Sequence, residues 1–173
     1  MSEEIDFNTQ ILGESTENLI TKGNENISQL IAHMALQARQ QIDVFSAELD
    51  HRIFDKENVS TAFSEFARCN RRSEIRILVK DTAKIVQLGH RLLYLKNRLP
   101  SFVQMKVVNR DYSGINRMFI VMDKVGYIEQ PVPDQEKFRA CYRSIPQGPE
   151  NALLFDQIWN KSVSDVNLRN LKL

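Results

Sequence analysis

The chain has 173 residues, of which 42% are hydrophobic and 26% charged, and this length suits one domain with its own buried core. Lysine and arginine total 23 against 22 aspartates and glutamates, so no overall charge draws the chain to nucleic acid or to an anionic membrane. The acidic start MSEEIDFNTQ is unlike a signal peptide and no apolar run is long enough to cross a bilayer, which predicts a cytoplasmic protein without a membrane partner.

The two cysteines, Cys69 and Cys141, lie far apart in the sequence. Their positions favour reduced thiols over a disulfide framework. Around His33 no second histidine or carboxylate stands at the spacing of metal ligands. The sequence has neither a glycine-rich phosphate loop nor a cofactor fingerprint, so it predicts no metal site and no cofactor.

The first half of the chain alternates between helical and strand-like patterns. NISQLIAHMALQA (residues 26–38) carries apolar residues at three- and four-residue spacing, which predicts a helix that begins near Gly23. IDVFSA (42–47) is short and partly alternating, as in a strand that opens into a polar loop. A second helix is predicted over residues 58–70, and EIRILVKD (74–81) is the clearest strand.

The next segment predicts one long helix. Asp81 is expected to cap it, because its carboxylate can accept the free backbone N–H groups of the first turn. Pro100 is expected to end it. The predicted buried stripe of this helix, TAKIVQLGHRLLYLKNRL (82–99), consists of Ile85, Leu88, Leu92, Leu95 and Leu99.

Strands are predicted again in the residues that follow. FVQMKVV (102–108) has the composition of a strand. RMFIVMD (117–123) and VGYIEQ (125–130) predict a hairpin that bends at Gly126. FRACYR (138–143) can add a further strand to the same sheet.

Together with a closing helix over PQGPENALLFDQIWNKS (146–162), these elements predict an α/β fold in which a mixed β-sheet is flanked by helices. Residues 1–22 are interpreted as an N-terminal extension, residues 23–163 as the domain and residues 164–173 as a C-terminal docking tail. The extension and residues 130–137 are expected to be loosely structured.

Several stretches in this order resemble one half of a phospholipase D-like domain: IDVFSAELD, SEIRILVKD, VQMKVVN, MFIVMD and FDQIWNKS, over residues 25–163. The resemblance implies that two such halves meet across a two-fold axis to build one site. In that family the signature His-x-Lys-x-x-x-x-Asp supplies a histidine nucleophile and a lysine that neutralises phosphate charge. In NRMFIVMD the corresponding positions hold Asn116, Met118 and Asp123.

This degenerate motif implies that phospholipase D chemistry is absent. The amide of Asn116 cannot attack phosphorus, and the thioether of Met118 cannot stabilise negative charge. Arg117 supplies a cation, but in a strand it should point to the opposite face from Met118. The Gly-Ser and Asn positions that follow the signature in active members are also missing from KVGYIEQP. No catalytic residue is therefore assigned.

The chain also resembles a bacterial group of uncharacterised domains with this pattern. That group is marked by an SxxLDxxLYD-like stretch, a GHRLL stretch and a terminal FDxxW, and FSAELDHRIFD, LGHRLL and FDQIW are similar here. In that group the domain can follow an acetyltransferase-type domain, and these 173 residues contain none. The group brings no activity that could be carried over.

The candidate ligand-binding residues fall in three places. Asp50, His51 and Arg52 come just after a predicted strand, where open α/β sheets hold ligands. His90 and Arg91 follow Gly89, and their alternative interpretation is a half-buried histidine beside the leucine stripe with Arg91 in solvent. Arg117 lies within the motif. The densest basic stretch could meet phosphates or simply form a solvated helix end; it consists of Arg68, Arg71, Arg72, Arg76 and Lys80.

Three hypotheses of function follow. The favoured one is a non-catalytic phospholipase D-like domain that acts in protein interaction or homodimerisation. The second is a binder of nucleic acid or a phosphorylated ligand in the ancestral cleft, which requires Asn116, His51, His90 and Arg91 to converge. The third is an enzyme with a different site, in which His51 or His90 is the general base.

Overall fold

The computed structural model describes residues 6–165 and residue 168. In this part of the chain the strands are β1 Leu19–Lys22, β2 Gln41–Ser46, β3 Glu74–Val79, β4 Val103–Val107, β5 Met118–Met122, β6 Gly126–Gln130 and β7 Lys137–Cys141. The helices are α1 Asn24–Gln37, α2 His51–Phe54, α3 Glu57–Cys69, α4 Ala83–Leu88, α5 Arg91–Arg98 and α6 Gln147–Lys161. Short 3₁₀ turns lie at Phe7–Thr9 and Arg110–Tyr112.

The strands form one mixed sheet in the order β1-β7-β6-β5-β2-β3-β4. β2, β3 and β4 run parallel, whereas β5 pairs antiparallel with β2, and β5, β6, β7 and β1 are antiparallel neighbours. Because β5 opposes β2, the C-terminal ends of β2, β3 and β4 lie at the same end of the sheet as the start of β5. The mixed sheet and its flanking helices confirm the predicted α/β class.

Helices cover both faces of the sheet, and each face has its own hydrophobic cluster. The larger cluster joins α1, α3 and α5 to one face, and it includes Val44 of β2. The smaller cluster joins α6 to the other face, and it includes Phe45 of β2 together with Phe155 and Trp159. Neighbouring strand residues thus belong to different clusters, as the two-residue period of a strand requires.

The single long helix predicted over residues 82–99 is wrong. α4 ends at Leu88, Gly89 adopts a φ of +72°, and the extended residue His90 precedes α5. Leu88, the last residue of α4, is 66% exposed although it was expected in the buried stripe. The carboxylate of Asp81 accepts the N–H of Ala83 at 2.8 Å, but the N-cap residue of α4 is Thr82, whose side chain makes no capping bond, so Asp81 lies one residue before the predicted cap position.

The predicted hairpin of β5 and β6 is present, but its bend is not at Gly126. Asp123 and Lys124 adopt the positive φ values of the turn, 51° and 62°. Gly126 is the first residue of β6, and a Cβ there would lie 2.5 Å from Leu12 Cδ1 and 3.3 Å from the carbonyl oxygen of Tyr142. Glycine at this position allows close packing and does not form the turn.

The expectation that residues 1–22 are loosely structured is wrong for Leu19–Lys22. These residues form β1, which pairs antiparallel with β7 and buries Leu19. The predicted docking tail, residues 164–173, lies outside the described residues apart from residues 164, 165 and 168, and Leu168 is buried in the larger cluster. The predicted domain boundaries remain predictions.

Within residues 6–165 and 168, no helix is both long enough and apolar enough to span a lipid bilayer. The same residues contain no group of three histidines, cysteines or acidic residues placed to hold a metal ion. Cys69 and Cys141 are free thiols, the first exposed and the second buried in β7.

A buried ion pair connects the sheet to α6. Arg76 of β3 lies directly opposite Asp43 of β2, and its guanidinium donates to both carboxylate oxygens of Asp43 at 2.8 and 3.0 Å. It also donates to Asp156 of α6 at 2.6 Å. The guanidinium carbon lies 5.0 Å from the ring centre of Phe155 and 5.5 Å from that of Trp159. Arg76 is therefore a structural residue and is not available to an external phosphate.

We expect Arg76→Ala to lower the free energy of unfolding by about 3–5 kcal/mol, because Asp43, which is 1% exposed, would remain in the interior without its counter-ion. Burial already raises the pKa of Asp43, which indicates how strongly desolvation opposes its charged form. Urea unfolding measures the change. The exposed Arg72→Ala is the matched control, with an expected change within about 0.5 kcal/mol. Equal losses in the two variants would contradict a structural role of the ion pair.

Candidate functional site

Asn116, which the resemblance aligned with the histidine of the signature, accepts a hydrogen bond from a lysine that follows another strand. Lys80 follows β3, and residues 113–117 lead into β5. These residues lie at one end of the sheet, the motif end. There Lys80 Nζ donates to Asn116 Oδ1 at 3.1 Å and to the carbonyl oxygen of Ser113 at 2.9 Å. Burial lowers the pKa of Lys80, because the ammonium group loses water that these two oxygens only partly replace.

The two residues after Asn116 point to opposite faces of the sheet. Met118 is 6% exposed and packs in the larger cluster. Arg117 lies on the α6 face, with its guanidinium carbon 4.4 Å from the ring centre of Phe119. It donates to Asn151 Oδ1 at 2.8 Å and to Glu129 at 3.4 Å. Arg117 therefore cannot take the role of the lysine that the signature has at the position aligned with Met118.

Asp123 lies at the other end of β5 from Asn116 and has a structural role. Its carboxylate accepts the backbone N–H groups of Arg39, Gln40 and Gln41 at 2.8–3.0 Å. These bonds hold the connection between α1 and β2 against the β5–β6 turn. The three motif positions therefore do not form one site.

The two candidate histidines meet where α2 and α5 begin. His90 Nδ1 accepts the N–H of Leu92, which caps α5, so Nε2 carries the proton that is donated to the carbonyl oxygen of Leu49 at 3.0 Å. His51 Nε2 donates to the carbonyl oxygen of Gly89 at 2.8 Å. The ring centres of the histidines lie 4.8 Å apart. Each histidine thus fastens the backbone segment of the other, and His90 is only 1% exposed.

Charged neighbours of the histidines form surface pairs. The N–H of Arg91 donates to Asp55 Oδ1 at 2.9 Å, and its guanidinium lies 3.5 Å from the same oxygen. Burial of Asp55 works to raise its pKa, but this hydrogen bond and the nearby positive charges leave the pKa below its ordinary value. Asp50 accepts the N–H of Arg52, capping α2, and pairs with its guanidinium at 2.9 Å. These contacts give a structural role to three of the candidate ligand-binding residues, Asp50, Arg52 and Arg91.

A groove with a basic lining lies between α3 and α5 and has a volume of about 440 Å³. Of the candidate residues, Arg91 lines this groove. Arg68 of α3 and Arg98 of α5 line it as well, together with the exposed ring of Tyr94. Arg98 and Tyr94 were not among the candidate residues predicted from the sequence. The signal was available, because residues 91, 94 and 98 share one face of a helix.

A family model described as a domain of unknown function, DUF7931, matches residues 23–171, and no curated protein matches the chain. Similar solved structures include NucT from Helicobacter pylori, 9% identical with a TM-score of 0.63 over 86% of this chain and 99% of that chain. Nuc from Salmonella typhimurium, a phospholipase D family member, is 13% identical with a TM-score of 0.57 over 84% of this chain and 97% of that chain.

TrmBL2, an archaeal chromatin protein, is 10% identical with a TM-score of 0.64, over 91% of this chain and 57% of that chain. At such identities the likeness concerns the fold alone. It confirms the phospholipase D-like fold that the sequence motifs predicted.

We expect buried His90 to make the free energy of unfolding depend on pH. Burial lowers the pKa of His90 from 6.5 to about 4, so between these values the unfolded chain binds a proton that the folded chain does not. The free energy of unfolding should therefore fall as the pH drops from 6.5 towards 4, by about 3 kcal/mol in total from this group. His90→Asn keeps a capping oxygen but removes the titration, so its stability curve should be flatter. Parallel curves for the wild type and His90→Asn in urea unfolding across this pH range would refute the assignment.

Proposed function

The chain belongs to the DUF7931 family, and we propose that it is a non-catalytic phospholipase D-like domain that acts through protein association, as a homodimer or with another chain. One observation carries the proposal: each side chain at a motif position is engaged within the protein. Asn116 is bound by Lys80, Met118 is buried in the core and Asp123 holds a backbone connection.

The chemistry of the motif end supports a binding role over catalysis. Phosphodiester cleavage through a covalent intermediate needs a nucleophile and a cation at the same place. Lys80 can supply charge there, but the amide of Asn116 supplies no nucleophile. The histidines do not replace it, because His90 is buried with both ring nitrogens bonded and His51 donates to Gly89.

The association part of the proposal rests on the size of the domain and on its surface. The chain aligns with nearly all of the Nuc and NucT chains. The resemblance to phospholipase D-like half-domains implies pairing across a two-fold axis. Three apolar side chains are exposed in α6 or just beyond its ends, and a partner would cover them: Ile145, Leu153 and Val163.

A second candidate function is favoured by the position of Lys80. Its ammonium group lies at the motif end, where the phospholipase D signature has a lysine and this chain has Met118. The hydrogen-bond partners of Lys80 are neutral oxygens. A phosphorylated ligand could displace Asn116 from Lys80 without any chemistry at phosphorus. This candidate retains the ancestral cleft as a binding site only.

We expect no hydrolysis of bis(p-nitrophenyl) phosphate above the rate of a buffer blank, because the site contains no nucleophile. The matched variant is Asn116→His with Met118→Lys, which restores both motif residues. Activity in the double variant and none in the wild type would support loss of catalysis through these positions. Turnover by the wild type that survives Asn116→Ala and Lys80→Ala would refute the non-catalytic assignment and point to another site.

We expect self-association in sedimentation equilibrium over a wide range of protein concentrations, since the resemblance implies paired half-domains. Leu153→Asp, which adds a charge to the exposed side of α6, should weaken the association. Leu36→Asp, at an exposed position of α1, should not. A chain that remains monomeric at the highest concentration would exclude the homodimer and leave association with another chain.

A further inference from the structure

The groove between α3 and α5 presents one face of each helix. Ser60, Ser64 and Arg68 of α3 line it at a spacing of four residues, and Arg91, Tyr94 and Arg98 of α5 line the other side. α3 leads into β3 and α5 into β4, which run parallel, so the two helices point in the same direction. Arg91 and Arg98 are seven residues apart, or about 10 Å along the helix axis. The arginines Arg91 and Arg98 are therefore spread along the length of the groove.

The charges of the groove are mostly unneutralised. Among the described residues, Arg68 and Arg98 form no ion pair, and both are exposed. Arg91 is paired with Asp55, but its side chain remains 49% exposed and the pair is a long one. Glu65 is the acidic residue in the lining. Although the whole chain is nearly neutral, this groove has a local excess of positive charge.

Tyr94 gives the groove a second property. Tyr94 lies between Arg91 and Arg98 in the sequence of α5, lines the groove with them and is 44% exposed. An exposed aromatic ring between cations is the combination that binds single-stranded nucleic acid, where arginines contact phosphates and the ring stacks on an unpaired base. A duplex keeps its bases stacked on one another, so it could use the cations but not the ring.

We propose that the α3–α5 groove binds single-stranded nucleic acid, with Arg68, Arg91 and Arg98 on the phosphates and Tyr94 against a base. The hydroxyl of Ser64 can donate a further hydrogen bond to a phosphate oxygen, whereas that of Ser60 donates to the carbonyl oxygen of Glu57 at 3.2 Å. The site is separate from Lys80 and Asn116, which lie at the motif end. It goes beyond the proposed function and does not rest on it, so one can fail without the other.

The test is fluorescence anisotropy with a labelled oligothymidylate and a labelled hairpin duplex of the same length, titrated with the full chain at several salt concentrations. Arg68→Glu with Arg98→Glu reverses two groove charges. The control, Arg39→Glu with Arg143→Glu, changes the net charge equally at exposed positions outside the groove. Lys80→Ala reports on the motif end, and Tyr94→Ala is compared with Tyr94→Phe to separate stacking from the hydroxyl.

We expect saturable binding of the single strand, weakened at least about ten-fold by the groove variant and little changed by the control. Loss of two phosphate contacts should also reduce the slope of log K against log salt by about 1.4. Tyr94→Ala should weaken binding by about five-fold or more, and Tyr94→Phe should not.

Several results would overturn the proposal. No binding at low salt would exclude the ligand. Equal affinity of the groove and control variants would mean that binding is not in the groove, and a selective loss in Lys80→Ala would move it to the motif end. Tighter binding of the duplex than of the single strand would contradict the role of Tyr94. Circular dichroism of each variant verifies that the fold is intact.

Discussion

The docking of α6 on the sheet depends on the buried guanidinium of Arg76. Taking Arg76 and Asp43 out of water is costly, and the cost is offset only because the guanidinium finds two carboxylates and two aromatic rings in suitable geometry. The two acids come from different layers, Asp43 from the neighbouring strand and Asp156 from α6. One cation thus joins two strands of the sheet to the helix that closes its second face.

The position of α6 in turn determines what the motif strand can do. α6 supplies Asn151, which holds Arg117 on the smaller cluster's face and away from Met118. At the two ends of β5, hydrogen bonds occupy Asn116 and Asp123 with partners from elsewhere in the chain. A strand that carries catalysis in the resembled family is here connected on both faces and at both ends, so its residues contribute to the fold.

The sequence could predict the elements whose signal is local. The apolar stripe on α1 and the apolar run of β5 lie within a few residues, and both elements were predicted correctly, although the bend between β5 and β6 was placed at the wrong residue. The break before α5 was not, because leucines continue at helical spacing on both sides of Gly89. β1 has only four residues, and its partner β7 lies more than a hundred residues away, so pairing rather than local pattern defines it.

The same reasoning explains why the charged residues were hard to assign. Arg68, Arg76 and Lys80 belong to one basic stretch of the sequence, but the fold sends them to three places: the α3–α5 groove, the buried ion pair and Asn116. Their partners are distant in sequence, so composition alone could not separate them. Arg68 instead joins Arg98 from a helix thirty residues on, and neither has an acidic partner in the described part of the chain. At the motif end Lys80 is held by internal hydrogen bonds, whereas Arg68 and Arg98, unpaired among the described residues, place two charges on the helices that line the groove.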